Sequence, residues 1–487
     1  MRNIALATAV AATLALAAPQ AYAQSKGSAS KAEVQAIEAQ MKALADRLNR
    51  LETANSTLQT QNAELKAVVE RRDAEIDYLK SQTRELREEG AVASNEISKV
   101  KGADWATRIK GRGDLRYRHE YIGTEYVTGS GATATVTDAA DRNRHRIRAR
   151  LGFDAQVTDN VKATLLLATG GDDPRSSNQT LGSQGTRKSV GVDMAFADWT
   201  VKPGMNLILG KQPWPFWRPG SSLFYDGDYN PEGGAFKFDR GMFFGSAYGW
   251  WLSEQYASNP QGENSDGNVF GAQVGVKFAL FGGETRVAAH YYNCGACQDQ
   301  SSILFSNSGF GNTTYTVGTS TTRILRDDFD VLDIAGEMGL TVADRPLTLW
   351  AQYAVNTAAE EGSVGPAGTA DPFVNDTLDT AYSIGASYGR ASNPKTWAVA
   401  AWYEYREANS LFGQFVDSDF GDGATDSKGW VMRGTYAPVR NLNVMATLFI
   451  NDRFMDVAPT RGTTPSQYEV GNGIDYQRLQ LDINYRF

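Results

Sequence analysis

Two periodicities divide the chain. Reading heptads from Val34, the a positions are Val34, Met41, Leu48, Asn55, Asn62, Val69, Ile76 and Thr83, and the d positions are Ile37, Leu44, Leu51, Leu58, Leu65, Arg72, Leu79 and Leu86. Most of this seam is apolar, no proline interrupts it, and Glu, Lys, Arg and Gln crowd the remaining positions. A repeat of about 3.5 residues predicts a left-handed α-helical coiled coil over 34–89, a rod on the order of 80 Å long. A single amphipathic helix lying on another surface is the competing reading, and the narrowness of the seam favours self-association. Asn55 and Asn62 would set the register of the strands and leave dimer and trimer both open. Residues 24–33 read as a linker, and 90–104, polar with Gly90 and Gly102, as a joint.

From Trp105 onward the period falls to two. In the last segment Leu479, Leu481, Ile483, Tyr485 and Phe487 share one face, and Arg478, Gln480, Asp482, Asn484 and Arg486 the other. Apolar-out, polar-in alternation is what a membrane barrel strand needs when lipid lies outside and water inside. Tight connections are expected at Thr158–Asn160, Lys202–Asn206, Asp239–Gly241, Ala279–Glu284, Thr341–Pro346, Arg390–Lys395 and Ala437–Asn441. Long polar loops alternate with them, including Asn293–Asp327, Thr357–Thr377, Ala408–Asp426 and Asp452–Gly473. Seven short turns between eight long loops predict an all-β transmembrane barrel of 16 antiparallel strands over 105–487, with both chain ends on the short-turn side. A soluble β-sandwich or β-helix is the rival fold, and it should lack this short and long alternation.

The first two strands carry the densest chemistry. Arg108, Lys110, Arg112, Asp114, Arg116, Arg118 and Glu120 occupy one face of the first, and Arg144, Arg146, Arg148 and Arg150 one face of the second. An arginine turned to lipid near the midplane costs about 2–4 kcal/mol, so a one-residue slip of the second strand would cost on the order of 8–16 kcal/mol. The arginines are therefore expected to point inward. Neighbours on one face lie about 6.6 Å apart. They repel by about 0.6 kcal/mol in water and about 2.5 kcal/mol at an effective dielectric of 20. That is tolerable in a hydrated channel and costly in a dry one. The arginines either remain free to concentrate anionic solutes or pair with lumen carboxylates such as Asp114, Glu120 and Asp154; the two readings are compatible.

Composition narrows the compartment and the partners. The chain has 487 residues and a formal net charge of -8, which argues against a general nucleic-acid binder. Met1-Arg2-Asn3, an apolar stretch from Ile4 to Ala18, and Ala21-Tyr22-Ala23 have the form of a secretory signal peptide over 1–23. The two cysteines, Cys294 and Cys297, are expected to form a small disulfide clip in an exported protein. His119, His145 and His290 are scattered, with His119 and His145 on lipid faces, so neither a metal site nor an ordered nucleophile and base is visible. No cofactor is implied, and an outer-membrane barrel hydrolase is the weaker alternative to a channel. An envelope tether, in which the coiled coil engages peptidoglycan, is compatible with transport.

The third long loop, from Gln212 to Pro231, contains Trp214, Phe216, Trp217, Arg218, Asp226 and Asp228. Its aromatic and proline content predicts an ordered loop. Folded inward, it would narrow the lumen and set Asp226 and Asp228 against the arginines; otherwise its aromatics would sit at the lipid interface. With the arginine-rich opening strands, Asp193-Met194-Ala195-Phe196-Ala197-Asp198-Trp199, Leu209-Gly210-Lys211 and this loop, the chain from Trp105 to Phe487 resembles the putative porin family of Gram-negative bacteria. The resemblance implies a homotrimer of 16-stranded barrels in the outer membrane, each narrowed by a loop, with the coiled coil in the periplasm. The closing strand ending on Phe487 resembles those that present a signal to the barrel-assembly machinery. Phosphate-selective porins are a second relative, but their dense lysine signature is not found here.

Overall fold

The structure, a computed structural model, describes residues 31–99, 107–128, 135–138, 140–254, 266–295, 297–301, 303–315, 322–361, 377–453 and 474–487. The expected signal peptide lies outside these residues. Helix α1 (Lys31–Lys99) is one unbroken helix. It continues through Gly90, where a joint is expected, because one glycine in a helix interior costs only about 1 kcal/mol. The seam residues Leu44, Leu58 and Leu86 are exposed along it.

The rest of the chain forms a closed barrel. Its first eight strands are β1 (Ile109–Thr128), β2 (Arg142–Thr158), β3 (Val161–Thr169), β4 (Val190–Lys202), β5 (Met205–Lys211), β6 (Glu232–Arg240), β7 (Phe243–Ser253) and β8 (Gly267–Leu280). The second eight are β9 (Gly283–Gly295), β10 (Phe329–Val342), β11 (Arg345–Asn356), β12 (Thr380–Gly389), β13 (Thr396–Arg406), β14 (Ser427–Val439), β15 (Leu442–Arg453) and β16 (Ile474–Arg486). Each pairs antiparallel with the next. β16 returns to β1, from Asp114 opposite Arg486 to Tyr126 opposite Ile474, and no edge is left open.

All seven short turns fall at the expected places. Ala343 and Asp344 both take positive φ, 48° and 60°, the geometry of a two-residue hairpin turn whose twist matches the strands. Gly204 (φ 74°) is needed for space as well, since a Cβ there would lie 2.4 Å from the Asp239 carbonyl oxygen.

Burial is inverted relative to a soluble sandwich. Leu115, Leu151, Val274, Ile384, Leu481 and Ile483 are exposed on the outer wall, whereas Arg118, Glu120, Arg478 and Asp482 are buried inside. The predicted alternation therefore sorts apolar side chains outward and charges inward. Replacing Leu481 by Arg on that outer wall is expected to lower the unfolding free energy in lipid vesicles by about 2–4 kcal/mol. Denaturant titration followed by tryptophan fluorescence checks this, and a change below measurement error would count against a lipid-facing position.

Candidate functional site: the lumen constriction

The register of β1 against β2 sets the chemistry of the lumen. Asp114 lies opposite Arg150 and Glu120 opposite Arg144, but Arg116 faces Arg148 and Arg118 faces Arg146. Directly opposed side chains begin about 5 Å apart. Two guanidiniums at that separation repel by about 0.8 kcal/mol in water and about 3 kcal/mol at an effective dielectric of 20.

Carboxylates from the wall strands and from two loops relieve this repulsion. Arg118 donates to both oxygens of Asp482 on β16, at 2.7 and 2.8 Å, and to Asp419 at 3.0 Å. Glu120 accepts from Arg144 and from Arg478, and Arg146 lies 3.7 Å from it. Arg478 also reaches Asp419 at 2.8 Å. Arg148 and Arg150 share Asp114, at 2.9 and 2.7 Å, and share Asp228, at 3.5 and 3.7 Å. Arg112 stands 3.8 Å from Asp154. Arg116 has the weakest partners, a 2.8 Å bond to Asn484 and Asp482 at 3.9 Å. Lys110 is exposed near the foot of the wall, and Arg108 precedes β1 with its carbonyl accepting from Gln156.

Loop 3 (212–231) lies inside the cylinder, which removes the lipid-interface reading of its aromatics. Trp214 is ringed by Phe216, Tyr225, Tyr229, Trp250 and Phe415 with centroids 5.2–5.5 Å away, and its indole N–H donates to the Asp226 carbonyl at 2.6 Å. The Trp217 ring packs edge-on to Phe244, and Arg218 bonds the Tyr225 carbonyl within the loop at 2.7 Å. Tyr225 and Tyr248 hold the buried His290 between them, at 3.3 and 2.7 Å. His119 and His145, by contrast, sit on the outer wall, where His145 bonds Tyr117 at 2.8 Å.

Of the two aspartates expected to face the arginines, only Asp228 does so. Asp226 instead accepts backbone N–H bonds from Asp228 and Ser418, at 2.7 and 2.8 Å, and ties loop 3 to loop 7 (407–426). Burial, with Asp417 and Asp228 nearby, pushes its carboxyl well above the ordinary range. It serves as a buried structural acceptor.

The second loop aspartate on the ladder is Asp419, which the sequence reading missed because loop 7 looked merely long and polar. Its signal was Phe412, Phe415 and Phe420, and all three rings are buried. Loop 7 crosses loop 3 through Asp226 N–H to the Phe415 carbonyl at 2.7 Å and Asp417 N–H to the Leu223 carbonyl at 3.1 Å. Arg175 of the second loop donates to the Gly423 carbonyl at 2.7 Å. Burial raises the Asp417 carboxyl, helped by Asp419. Asp419 is partly buried, which would raise its carboxyl, yet Arg478 and Arg118 hold it well below the ordinary range. Cys294 and Cys297 are disulfide-bonded at the root of the fifth loop, Cα to Cα 5.6 Å.

Between the charged wall and these two loops lies a cavity of about 200 Å³ bordered by Arg116, Arg148, Asp228, Asp419 and Arg433. A closed barrel with inward loops and a charged, partly open lumen is the architecture of a solute channel. Residues 124–323 and 307–487 match the profile of the family described as "Putative porin". The chain belongs to this family. Its barrel is thus a porin barrel, and its setting is the outer membrane. Among the curated proteins no relative matches the chain. Solved structures that this porin is similar to include OprB of Pseudomonas putida, at 12% identity and TM-score 0.45, covering 77% of this chain and 94% of that one. The outer membrane channel DcaP of Acinetobacter baumannii gives 14% and 0.44, covering 78% and 97%. OmpT of Vibrio cholerae gives 12% and 0.39, covering 78% and 97%.

Substituting Asp419→Asn should leave Arg118 and Arg478 short of a counter-charge and weaken the docking of loop 7 by about 3 kcal/mol. That corresponds to a rise of about two orders of magnitude in amide hydrogen exchange across residues 417–422 of the porin. Unchanged protection there would mean that Asp419 does not fasten the loop.

Proposed function

We propose that this porin passes small hydrophilic solutes by passive diffusion and favours anions at its narrowest point. The observation that carries the reading is the charge at the constriction. Arg116, Arg118, Arg148, Arg175 and Arg433 line its cavity with Asp226, Asp228, Asp417 and Asp419, and burial disfavours the ionised forms of Asp226 and Asp417. Excess positive charge in a narrow aqueous passage with low-dielectric walls raises the local anion concentration. Loop 3 and loop 7 together narrow the path. Trp214, Phe216 and Trp217 back the constriction, and Asp228 with Asp419 faces the arginines.

The same reading assigns 1–23 as an export signal and places α1 in the periplasm, where its exposed leucine seam joins the helices of a homotrimer. The strand ending on Phe487 then serves as the mark read by the barrel-assembly machinery, and peptidoglycan is a candidate contact for the helical rod.

Purified protein in planar bilayers should give stepwise conductance, and its absence would remove the channel reading. Replacing Arg144, Arg146 and Arg148 by Gln subtracts three positive charges and leaves Glu120 and Asp114 under-compensated, so the reversal potential in a salt gradient should move toward cation selectivity. An unmoved reversal potential would sink the anion preference. Deleting Lys31–Leu86 should lower the temperature at which the oligomer dissociates while barrel conductance persists; an unchanged dissociation temperature would count against a coiled-coil trimer.

A further inference from the structure

Arg433, an inward side chain of β14, stands apart from the arginine ladder and was not marked by any sequence pattern. Its Nε donates to Thr447 Oγ1 at 3.3 Å, and its guanidinium lies over the Trp402 ring, 5.0 Å from the centroid. Among the described residues no carboxylate lies within 4.0 Å of it. Every ladder arginine in the same cavity except Arg116 has a close acidic partner. Arg433 and Arg116 border one cavity of about 200 Å³, and among the described residues Arg433 has no carboxylate in direct contact while Arg116 has only Asp482, at 3.9 Å.

The carboxyls of that cavity are otherwise engaged. Asp419 is held by Arg118 and Arg478. Asp228 is shared by Arg148 and Arg150. Asp226 accepts the backbone N–H groups of Asp228 and Ser418. Asp417 accepts those of Asp419 and Phe420, at 2.9 and 3.1 Å, and its burial disfavours the ionised form. The groups with unspent binding capacity are therefore cationic. The Thr447 bond occupies Nε, the Trp402 ring lies beside the guanidinium, and the two terminal nitrogens are left as a fork. A planar fork matches two oxygens of one anion better than it matches a spherical halide.

We infer that Arg433 and Arg116 form a binding subsite for a single small oxyanion, a carboxylate or a phosphate group, within the lumen of this porin. The inference rests on the channel reading only for the route by which the anion arrives. A bound oxyanion supplies the direct ionic contact that Arg433 lacks among the described residues, and the site occupies part of the remaining passage, so binding also slows the ionic current.

Isothermal titration of the full-length protein in detergent with sodium acetate, with inorganic phosphate and with sodium chloride tests this directly. Both oxyanions, or one of them, should bind more tightly than chloride. Saturation by acetate alone would identify a carboxylate site and by phosphate alone a phosphate site. R433Q should weaken oxyanion binding at least about tenfold, R116Q should weaken it too, and R433K, which keeps the charge but loses the fork, should retain only part of it. Heat-modifiable gel migration reports the folding of each variant, and R116Q with R433K decides the matter if R433Q does not fold. Oxyanion affinity no better than chloride in the wild type, or equal affinity in folded R433Q and R116Q, would overturn the subsite. Binding that depends on Arg433 in a protein with no bilayer conductance would keep the site and remove the channel. Conductance without such binding would do the reverse.

Discussion

Hydrocarbon on the outside of the barrel decides nearly everything inside it. Because an arginine turned to lipid costs about 2–4 kcal/mol, β1 and β2 have one admissible facing, and their guanidiniums must share the lumen. The pairing register then brings Arg116 opposite Arg148 and Arg118 opposite Arg146. The wall cannot relieve that repulsion with Asp114 and Glu120 alone. Two loops far apart in the chain each send in one aspartate, Asp228 and Asp419, and the positions of those loops follow from the charges they answer.

The lumen is consequently divided. On one side the aromatic rings of loops 3 and 7 pack onto inward rings of the wall, with Trp214 against Trp250 and Phe415, and Phe216 against Tyr248. Each such contact adds roughly 0.5–1.5 kcal/mol beyond simple burial. On the other side lies the charge cluster. The apolar half gives the loops a firm backing from which Asp228 and Asp419 reach the arginines directly.

The sequence made the barrel legible because lipid imposes a strict period of two, visible in Leu479 to Phe487 and in Arg144 to Arg150. The turns were equally plain, since pairs such as Ala343-Asp344 and Pro203-Gly204 interrupt that period abruptly. The tryptophans of loop 3 marked an ordered loop but left lumen and lipid interface both open, and the separate fates of Asp226 and Asp228 were not legible either. Two residues apart on an irregular segment, they are told apart only by which backbone amides come near, and Ser418 arrives from loop 7. Arg433 was invisible for a related reason. A lone basic residue in a strand carries no pattern, and its isolation from carboxylates is a property of β15 and β16 as much as of β14. Gly90 misled in the other direction, suggesting a break that one glycine is too weak to impose on a long helix.

The junction of β1 with β16 joins the first and last strands of the barrel, and it is also where Arg118 finds Asp482 and where Arg478 finds Glu120. Pairing of these two strands is thus the contact that neutralises some of the most crowded charges. A seam displaced by two residues would part Arg118 from Asp482 and strand both ions away from bulk water. The register of the closing seam is in this way fixed by charge as well as by the alternation of apolar and polar faces.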